Sequence, residues 1–362
     1  MGCLDVLTDR FNLSLVLPGS GMGLEARGVS CLRTSFQTCF IKQFRSKRSV
    51  LADAGREHGG HSMSEPDLSL RDVAVAVAGA GRVGTALGRL LADRGMPVTA
   101  LWSRNEAKAR AAAAFISPST QVTSLEELPR YATHLLIAVS DDATETVSKR
   151  VAAGADGTEI ALHTSGILDW RALGPLFEKG ASCGSIHPLQ TVPSPERGVE
   201  LLPGSLFAVE GASAAVKWAE EIARRLDGKI LLLRPQAKPL YHAAATLAGN
   251  GVIALVAAAE RILSRGGFTE AEARSLLQPL MHASLSNAVS LGPPAALTGP
   301  VARGDLGTLG QHLQALAGCE GDVRELYRAI AFVLFSVAGS RRGESKEWNW
   351  AVNLSRDSER LP

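Results

Sequence analysis

Cysteine is scarce in this 362-residue chain: there are five, at positions 3, 31, 39, 183 and 319. They are too few and too scattered for a disulfide framework, and none form a CxxC pair. Excess charge is also lacking. The 38 Lys and Arg residues face 36 Asp and Glu, so no basic face marks a dedicated nucleic-acid binder. The two longest uncharged apolar runs lie around 251–259 and 329–338. Both fall short of the ~20 residues that span a bilayer. No HExxH or other metal-ligand spacing occurs, so no metal is expected. No GxSxG elbow marks a serine hydrolase. These absences together predict a soluble, cytoplasmic protein with neither a membrane nor a nucleic-acid partner.

What is present is apolar and small. Apolar residues make up 46% of the chain and charged ones 20%, enough to bury a sizeable core. At roughly 150 residues per domain, the length implies about two domains.

Residues 1–70 show little periodicity and hold three of the five cysteines. Two readings compete for them. One is a targeting peptide, which Asp5, Asp9 and Glu25 argue against. The other is a disordered extension or a mis-assigned start, with Met63 as a second natural beginning. Residues 71–235 alternate apolar strand runs with helical segments, the pattern of a parallel α/β sheet. Residues 236–340 are helical in pattern throughout. Residues 341–362 form a polar tail. Without both ends, 25 cations and 25 anions remain, so any cationic character of the core is local.

The informative motif follows the first strand run, 73–78. Gly79, Ala80, Gly81, Arg82, Val83 and Gly84 form a GxGxxG loop that opens a helix, the context that gives this motif meaning. Gly79 allows a tight turn, Gly81 lets the backbone approach a pyrophosphate, and Gly84 allows close helix–strand packing. The helix N-terminus then offers free N–H groups to the phosphates. At the end of the second strand, NAD sites place an acid for the ribose 2′-hydroxyl. Here Ser103 and Arg104 stand instead, a pair suited to a 2′-phosphate. NADP is therefore expected, the alternative being that Arg104 is a solvated surface charge. Val139, Ser140 and Asp141 end the third strong strand, where ligands of open α/β sheets lie. Asp141 reads equally well as a helix N-cap.

Several polar residues could carry chemistry. His187 directly precedes Pro188, in a loop after a strand, and is held extended. It reads as functional or structural with equal ease. His163 reads as a structural strand-end residue. Residues 238–265 read as one buried helix, apolar nearly all round. Within it Lys238, His242, Thr246 and Asn250 recur every four residues, a stripe about 18 Å long. The stripe either faces a wet interdomain cleft or makes interhelical hydrogen bonds. Arg303 either binds a substrate carboxylate or pairs with Asp305.

The successive segments VAGAGRVGTAL, WSR, SIHPLQT, YHAAATLAGN and ALTGPVARGD resemble bacterial proteins that pair a Rossmann-like domain with a C-terminal domain of unknown function. The resemblance covers about residues 71–335. Those proteins are similar to the pyrroline-5-carboxylate reductase, ketopantoate reductase and 6-phosphogluconate dehydrogenase group. The resemblance implies a Rossmann-type doubly wound parallel sheet. An all-α C-terminal domain like that of 6-phosphogluconate dehydrogenase would follow, serving dimerisation. In related dehydrogenases a Lys and an Asn from one helix assist the reacting carbonyl. Lys238 and Asn250 resemble that pair in type, though their spacing departs from it.

The expectation is an NADP-dependent oxidoreductase acting on a small carbonyl or imine between the domains. His242 or Lys238 would donate the proton, Asn250 and His187 would orient the substrate, and Arg303 would hold its carboxylate. The competing class is a non-catalytic NADP-binding or redox-sensing protein. A nucleic-acid role through the basic patch 42–48 has little behind it.

Overall fold

The computed structural model describes residues 73–154 and 156–342. The extension 1–70, its basic patch and the tail beyond Arg342 lie outside the described residues. The α/β region begins with β1 (Val75–Ala78), α1 (Arg82–Asp93), β2 (Val98–Trp102), α2 (Glu106–Ile116) and β3 (Gln121–Val122). It continues with β4 (His134–Ile137), α3 (Asp141–Ala152), β5 (Ile160–His163), α4 (Gly174–Glu178) and β6 (Ser182–Pro188). It closes with α5 (Pro195–Leu201), β7 (Leu206–Gly211), α6 (Ser213–Arg225) and β8 (Lys229–Leu232).

These strands form one eight-stranded sheet, in the order β3-β2-β1-β4-β5-β6-β7-β8. β1, β4 and β5 are buried along their whole length, as parallel strands covered on both faces must be. Alternation divides the side chains of β1. Val75 and Val77 pack with Leu87, Leu91 and Trp218 on one face. Ala76 and Ala78 pack with Leu128, Leu135 and Leu173 on the other.

Two details differ from the sequence expectation. The sheet is mostly but not wholly parallel, because β6 and β7 pair antiparallel. The segment between them carries α5, whose Gly198 lies against Ala86 of α1. His187 is also not in a loop: it is the penultimate residue of β6, paired with Ala208 of β7. The extended conformation that Pro188 imposes on it is a strand conformation.

The helical region comprises α7 (Lys238–Ala248), α8 (Asn250–Arg265), α9 (Glu270–Leu291), α10 (Pro293–Ala296), α11 (Gly299–Arg303), α12 (Leu306–Ala315) and α13 (Gly321–Arg342). Thr269 and Glu272 close a capping box at the start of α9, satisfying its first N–H groups. Small clusters hold this region together: Val301, Leu309 and Phe335 in one, Ala258, Leu316 and Val323 in another. Arg274 reaches from α9 to Glu260 on α8 at 2.6 Å.

The expected single buried helix over 238–265 is corrected twice. It breaks at Gly249, which caps α7 and precedes α8. Most of it is also exposed: Leu240 is 79%, Leu247 76% and Ile253 64% accessible. The helical region is too thin to cover its own apolar surface. The buried residues of the stretch are Lys238, against the sheet at the helix start, and Ala258 in the helical region. The stretch Pro235–Arg265 also has the length and hydropathy of a bilayer span, contrary to the reading of short apolar runs. Lys238 and Glu260 tie both of its ends into the protein.

Candidate functional site

The site is built at the carboxyl ends of the strands, beginning with the glycine loop. The Gly79 N–H donates to the Trp102 carbonyl at 2.7 Å, joining the loop to the end of β2. Gly79 has φ +126°, and a Cβ there would lie 2.2 Å from the Ala138 carbonyl oxygen. A Cβ at Gly84 would lie 2.5 Å from the Gly79 oxygen, so α1 can approach β1 only because residue 84 is glycine. A Cβ at Gly81 would meet nothing nearer than 3.8 Å. The space in front of Gly81 is open. Gly81 is also the N-cap of α1, with no side chain capping the helix. The first N–H groups of α1 are thus left for an outside acceptor.

A groove of about 570 Å³ opens in front of this loop. Among the expected residues, Gly79, Ala80, Gly81, Arg82, Val83, Ser103, Arg104, Val139 and Ser140 line it. Gly84 and Asp141 do not line it. Ser140, not Asp141, is the N-cap of α3, and Asp141 is the first helical residue. Asp141 nevertheless acts on the site, because its charge reaches His163, His187 and Lys238.

The groove has further walls that the sequence reading missed: Trp102, Asn105, Lys108, Thr164 and Gln190. Lys108 was findable, since it lies four residues after Arg104, one turn into α2. The Asn105 side chain caps α2 by accepting the Lys108 N–H at 2.9 Å. No carboxylate lines the groove; three cations do, Arg82 at the start of α1, Arg104 just after β2 and Lys108 in the first turn of α2.

Beyond Thr164 the chain enters a polar cluster between β6 and α7. Ser185 and His187 point to one face of β6, two residues apart. They meet Lys238 and Tyr241, one turn apart on α7. The Lys238 Nζ donates to Ser185 Oγ at 2.6 Å and to the Ser165 carbonyl at 3.2 Å. Ser185 Oγ donates in turn to Glu210 Oε1 at 2.8 Å, and Lys238 lies 3.8 Å from that oxygen. Burial pushes the Lys238 ammonium below its ordinary range and the Glu210 carboxyl above its own. Desolvation disfavours both charges; their attraction and the Ser185 bond oppose it. Lys238 therefore sits behind the site and is not a groove residue.

His187 lies beside Tyr241, with Nδ1 2.9 Å from the phenol oxygen, and its ring meets that of His242 edge-on at 5.7 Å. Both imidazoles close over Gly166. A Cβ there would lie 2.5 Å from His242 Cδ2 and 2.9 Å from His187 Nε2. Desolvation, helped by His242 and Lys238, lowers the His187 pKa to about 4. His163 is also held to about 4, mainly by burial and then by Lys238. It braces the turn after β5, with Nε2 donating to the Asp169 carbonyl and Nδ1 accepting from the Ser165 N–H.

The remaining expected residues lie apart. Thr246 and Asn250 are exposed, Asn250 being the first residue of α8. The four-residue stripe is thus divided: Lys238 buried, His242 half-buried, the last two in solvent. Arg303 ends α11 beside Asp305, which caps α12 by accepting the Thr308 N–H. The charge of Arg303 helps lower the Asp305 pKa, after the bonds from Thr308. Arg303 does not line the groove.

Comparison with known families gives two adjacent matches. Residues 60–188 match a Rossmann-like domain, and residues 205–333 match a domain of unknown function, DUF2520. The second match begins at β7, so the sheet is completed by residues it covers. No curated protein matches the chain. Several solved structures share the fold. Protein BF3122 of Bacteroides fragilis, provisionally described as an NADP oxidoreductase, is 23% identical, with a TM-score of 0.64 over 74% of this chain and 100% of its own. Protein TM1727 of Thermotoga maritima is 24% identical, with a TM-score of 0.57 over 74% of this chain and 99% of its own. The imine reductase of Myxococcus stipitatus, solved with NADP+, is 15% identical, with a TM-score of 0.53 over 78% of this chain and 99% of its own.

Proposed function

We propose that this chain, a Rossmann-like domain joined to a DUF2520 domain, is an NADP-dependent oxidoreductase acting on a small carbonyl or imine. One observation carries the reading: the groove runs from an uncapped helix N-terminus to Arg104 and Lys108, with no carboxylate along it. The residues fit the cofactor. The loop N–H groups and the open space before Gly81 suit a pyrophosphate, and Ser103, Arg104 and Lys108 suit a 2′-phosphate. An acid at the end of β2 would repel that phosphate. When bound, NADPH supplies a hydride to a carbon bearing oxygen or nitrogen.

The chain's own groups supply the rest. His187, neutral at pH 7, can orient an acceptor atom but cannot hand over a proton as an imidazolium. Proton donation falls to His242, whose ring shares the space over Gly166. Lys238 ties β6 and the turn after β5 to α7, and its charge acts on His187. Asn250 and Arg303 have no role in this assignment.

The test is a titration with NADPH and NADH, followed by turnover against small oxo-acids, aldehydes and imines. Replacing Arg104 and Lys108 together with Ser should weaken NADPH binding on the order of 100-fold, through loss of charge-assisted hydrogen bonds of ~1.5 kcal/mol each. NADH binding should stay within about threefold, since no 2′-phosphate contact is lost. His242→Ala assayed alongside should bind NADPH and fail to turn over. A wild-type preference for NADH would sink the cofactor assignment. Full turnover by His242→Ala would remove its role, and NADPH binding with no turnover against any substrate would favour the sensor reading.

The same proposal includes a homodimer built through the helical region, in a cytoplasmic setting where Cys183 and Cys319 stay free thiols. Leu276 and Leu280, one turn apart on α9, are 58% and 63% exposed, and Leu247 on α7 is 76% exposed. A monomer leaves such apolar surface in water at a cost of about 25 cal/mol per Å². Sedimentation equilibrium should give twice the chain mass. Leu247→Glu with Leu280→Glu should shift it to a monomer, and a monomeric wild type would defeat the idea.

A further inference from the structure

We propose that Tyr241 is a positioning residue that fixes His187 in the tautomer carrying its proton on Nε2, a neutral donor aimed over Gly166. His187 Nδ1 and the Tyr241 oxygen lie 2.9 Å apart, from elements 54 residues distant in the chain. One group must donate and the other accept. A neutral imidazole offers one donor and one acceptor, whereas a phenol has a single proton. A half-buried phenol O–H needs an acceptor. Among the described residues, His187 Nδ1 is the one hydrogen-bond partner of that phenol.

If Nδ1 were the donor, the phenol proton would have no acceptor in this set. If the phenol donates, both groups are satisfied, and the imidazole proton must reside on Nε2. The electrostatics agree: burial pushes the Tyr241 pKa up to about 12 and the His187 pKa down to about 4. The phenol thus keeps its proton, and the imidazole stays neutral, across the physiological range.

Nε2 is the atom that a Cβ on Gly166 would meet at 2.9 Å. The Nε2–Cδ2 edge of the ring therefore borders the space that the glycine leaves, beside the His242 ring. A donor there complements a carbonyl oxygen or the lone pair of a neutral imine. It opposes a protonated imine, whose nitrogen has only a hydrogen to offer. This assignment of substrate polarity rests on the oxidoreductase reading; the tautomer itself does not.

The experiment is ¹⁵N spectroscopy of histidine-labelled full-length protein at pH 7, with His187→Gln identifying the His187 signals. The expected result is a single Nε2–H tautomer in the wild type and a mixture in Tyr241→Phe. An Nδ1–H wild type would overturn the proposal, and so would an unchanged Nε2–H tautomer in Tyr241→Phe. Should that variant fail to fold, 3-fluorotyrosine labelling of the three tyrosines serves instead. The more acidic phenol should strengthen its bond and move the Nδ1 resonance upfield; an unmoved resonance overturns the proposal. On any substrate found for the wild type, Tyr241→Phe should lower kcat about tenfold, with NADPH affinity unchanged. NADPH affinity measured on the same samples separates the two claims. A protein with the expected tautomer but no NADPH binding keeps this proposal and loses the oxidoreductase reading.

Discussion

Gly81→Ala should leave the melting temperature essentially unchanged and weaken NADPH binding by about tenfold or more, ~1.4 kcal/mol. Gly79→Ala should do the reverse of that order, damaging the fold first. The added methyl at Gly81 would meet nothing of the protein nearer than 3.8 Å, and that position has no left-handed φ. It would therefore fold without strain and intrude only on a ligand lying across the loop. The methyl at Gly79 would lie 2.2 Å from the Ala138 oxygen, on a backbone with φ +126°. Overpacking against a backbone carbonyl costs on the order of 3 kcal/mol, and the positive φ adds to it. For a folded region of this size, that is on the order of a 10 °C fall in Tm. Thermal melts and fluorescence titration of the two variants check the pair. If Gly81→Ala bound NADPH as the wild type does, the groove in front of residue 81 would not be the pyrophosphate site.

Acidification should destabilise the protein well before its carboxylates titrate. Burial lowers the pKa of His134, His163 and His187 from 6.5 to about 4. A depressed folded pKa means that the native state binds these protons less tightly than the unfolded chain. The stability held by the neutral rings is complete above about pH 6.5 and is lost as the pH falls towards 4. For the fully buried His134 and His163, the loss amounts to ~3 kcal/mol each. His187 is only half-buried and contributes less. Against a typical stability of about 5–15 kcal/mol, this is a large share.

The lowered carboxylates, such as Asp305 and Glu221, add their own acid loss at lower pH. Glu210, raised by burial, acts in the opposite direction. Between pH 6.5 and 5 the three histidines dominate the linkage, with Glu210 acting against them. Proton uptake on urea unfolding should rise from about 1.5 at pH 6.5 towards about three near pH 5, one per ring. His134→Gln should remove one of them, since that ring packs edge-on against Trp218, with its Nδ1 beside Thr133 Oγ1. Stability independent of pH between 7 and 5 would contradict the burial argument.

Much of the cofactor end of the site was legible in the residues. The glycine pattern, the apolar run before it and the absence of an acid near Arg104 are local features. Each acts through backbone dihedrals or through neighbours within one turn, so reading along the chain recovers them. The alternation of strands and helices was legible for the same reason, because side-chain period reports which faces are covered. Lys108 was missed although its spacing from Arg104 would have revealed it.

At the polar end the structure departs from the arrangement that the residue spacing predicts. The four-residue stripe assumes one straight helix with a uniform surrounding. Gly249 breaks that helix, and the surrounding changes from sheet to solvent within four turns. Lys238 was expected at the reacting atoms. It is buried instead by Ser185, Ser165 and Glu210, which lie 28 to 73 residues away in sequence. Tyr241 is not legible along the chain, because its contact is with a histidine 54 residues away on another element. The exposure of α7 to α9 was likewise invisible: an apolar helix reads the same whether its own chain or a second copy covers it.

By itself, then, the sequence determined the sheet-and-helix order, the glycine loop after β1 and the absence of an acid at the end of β2. All three follow from interactions within a turn or a strand. The tertiary structure alone decided that β7 runs against β6, that Lys238 is buried, that Tyr241 reaches His187, and that the helical face is left uncovered. Those outcomes depend on which distant groups share a dielectric and a contact, and no spacing along the chain encodes them.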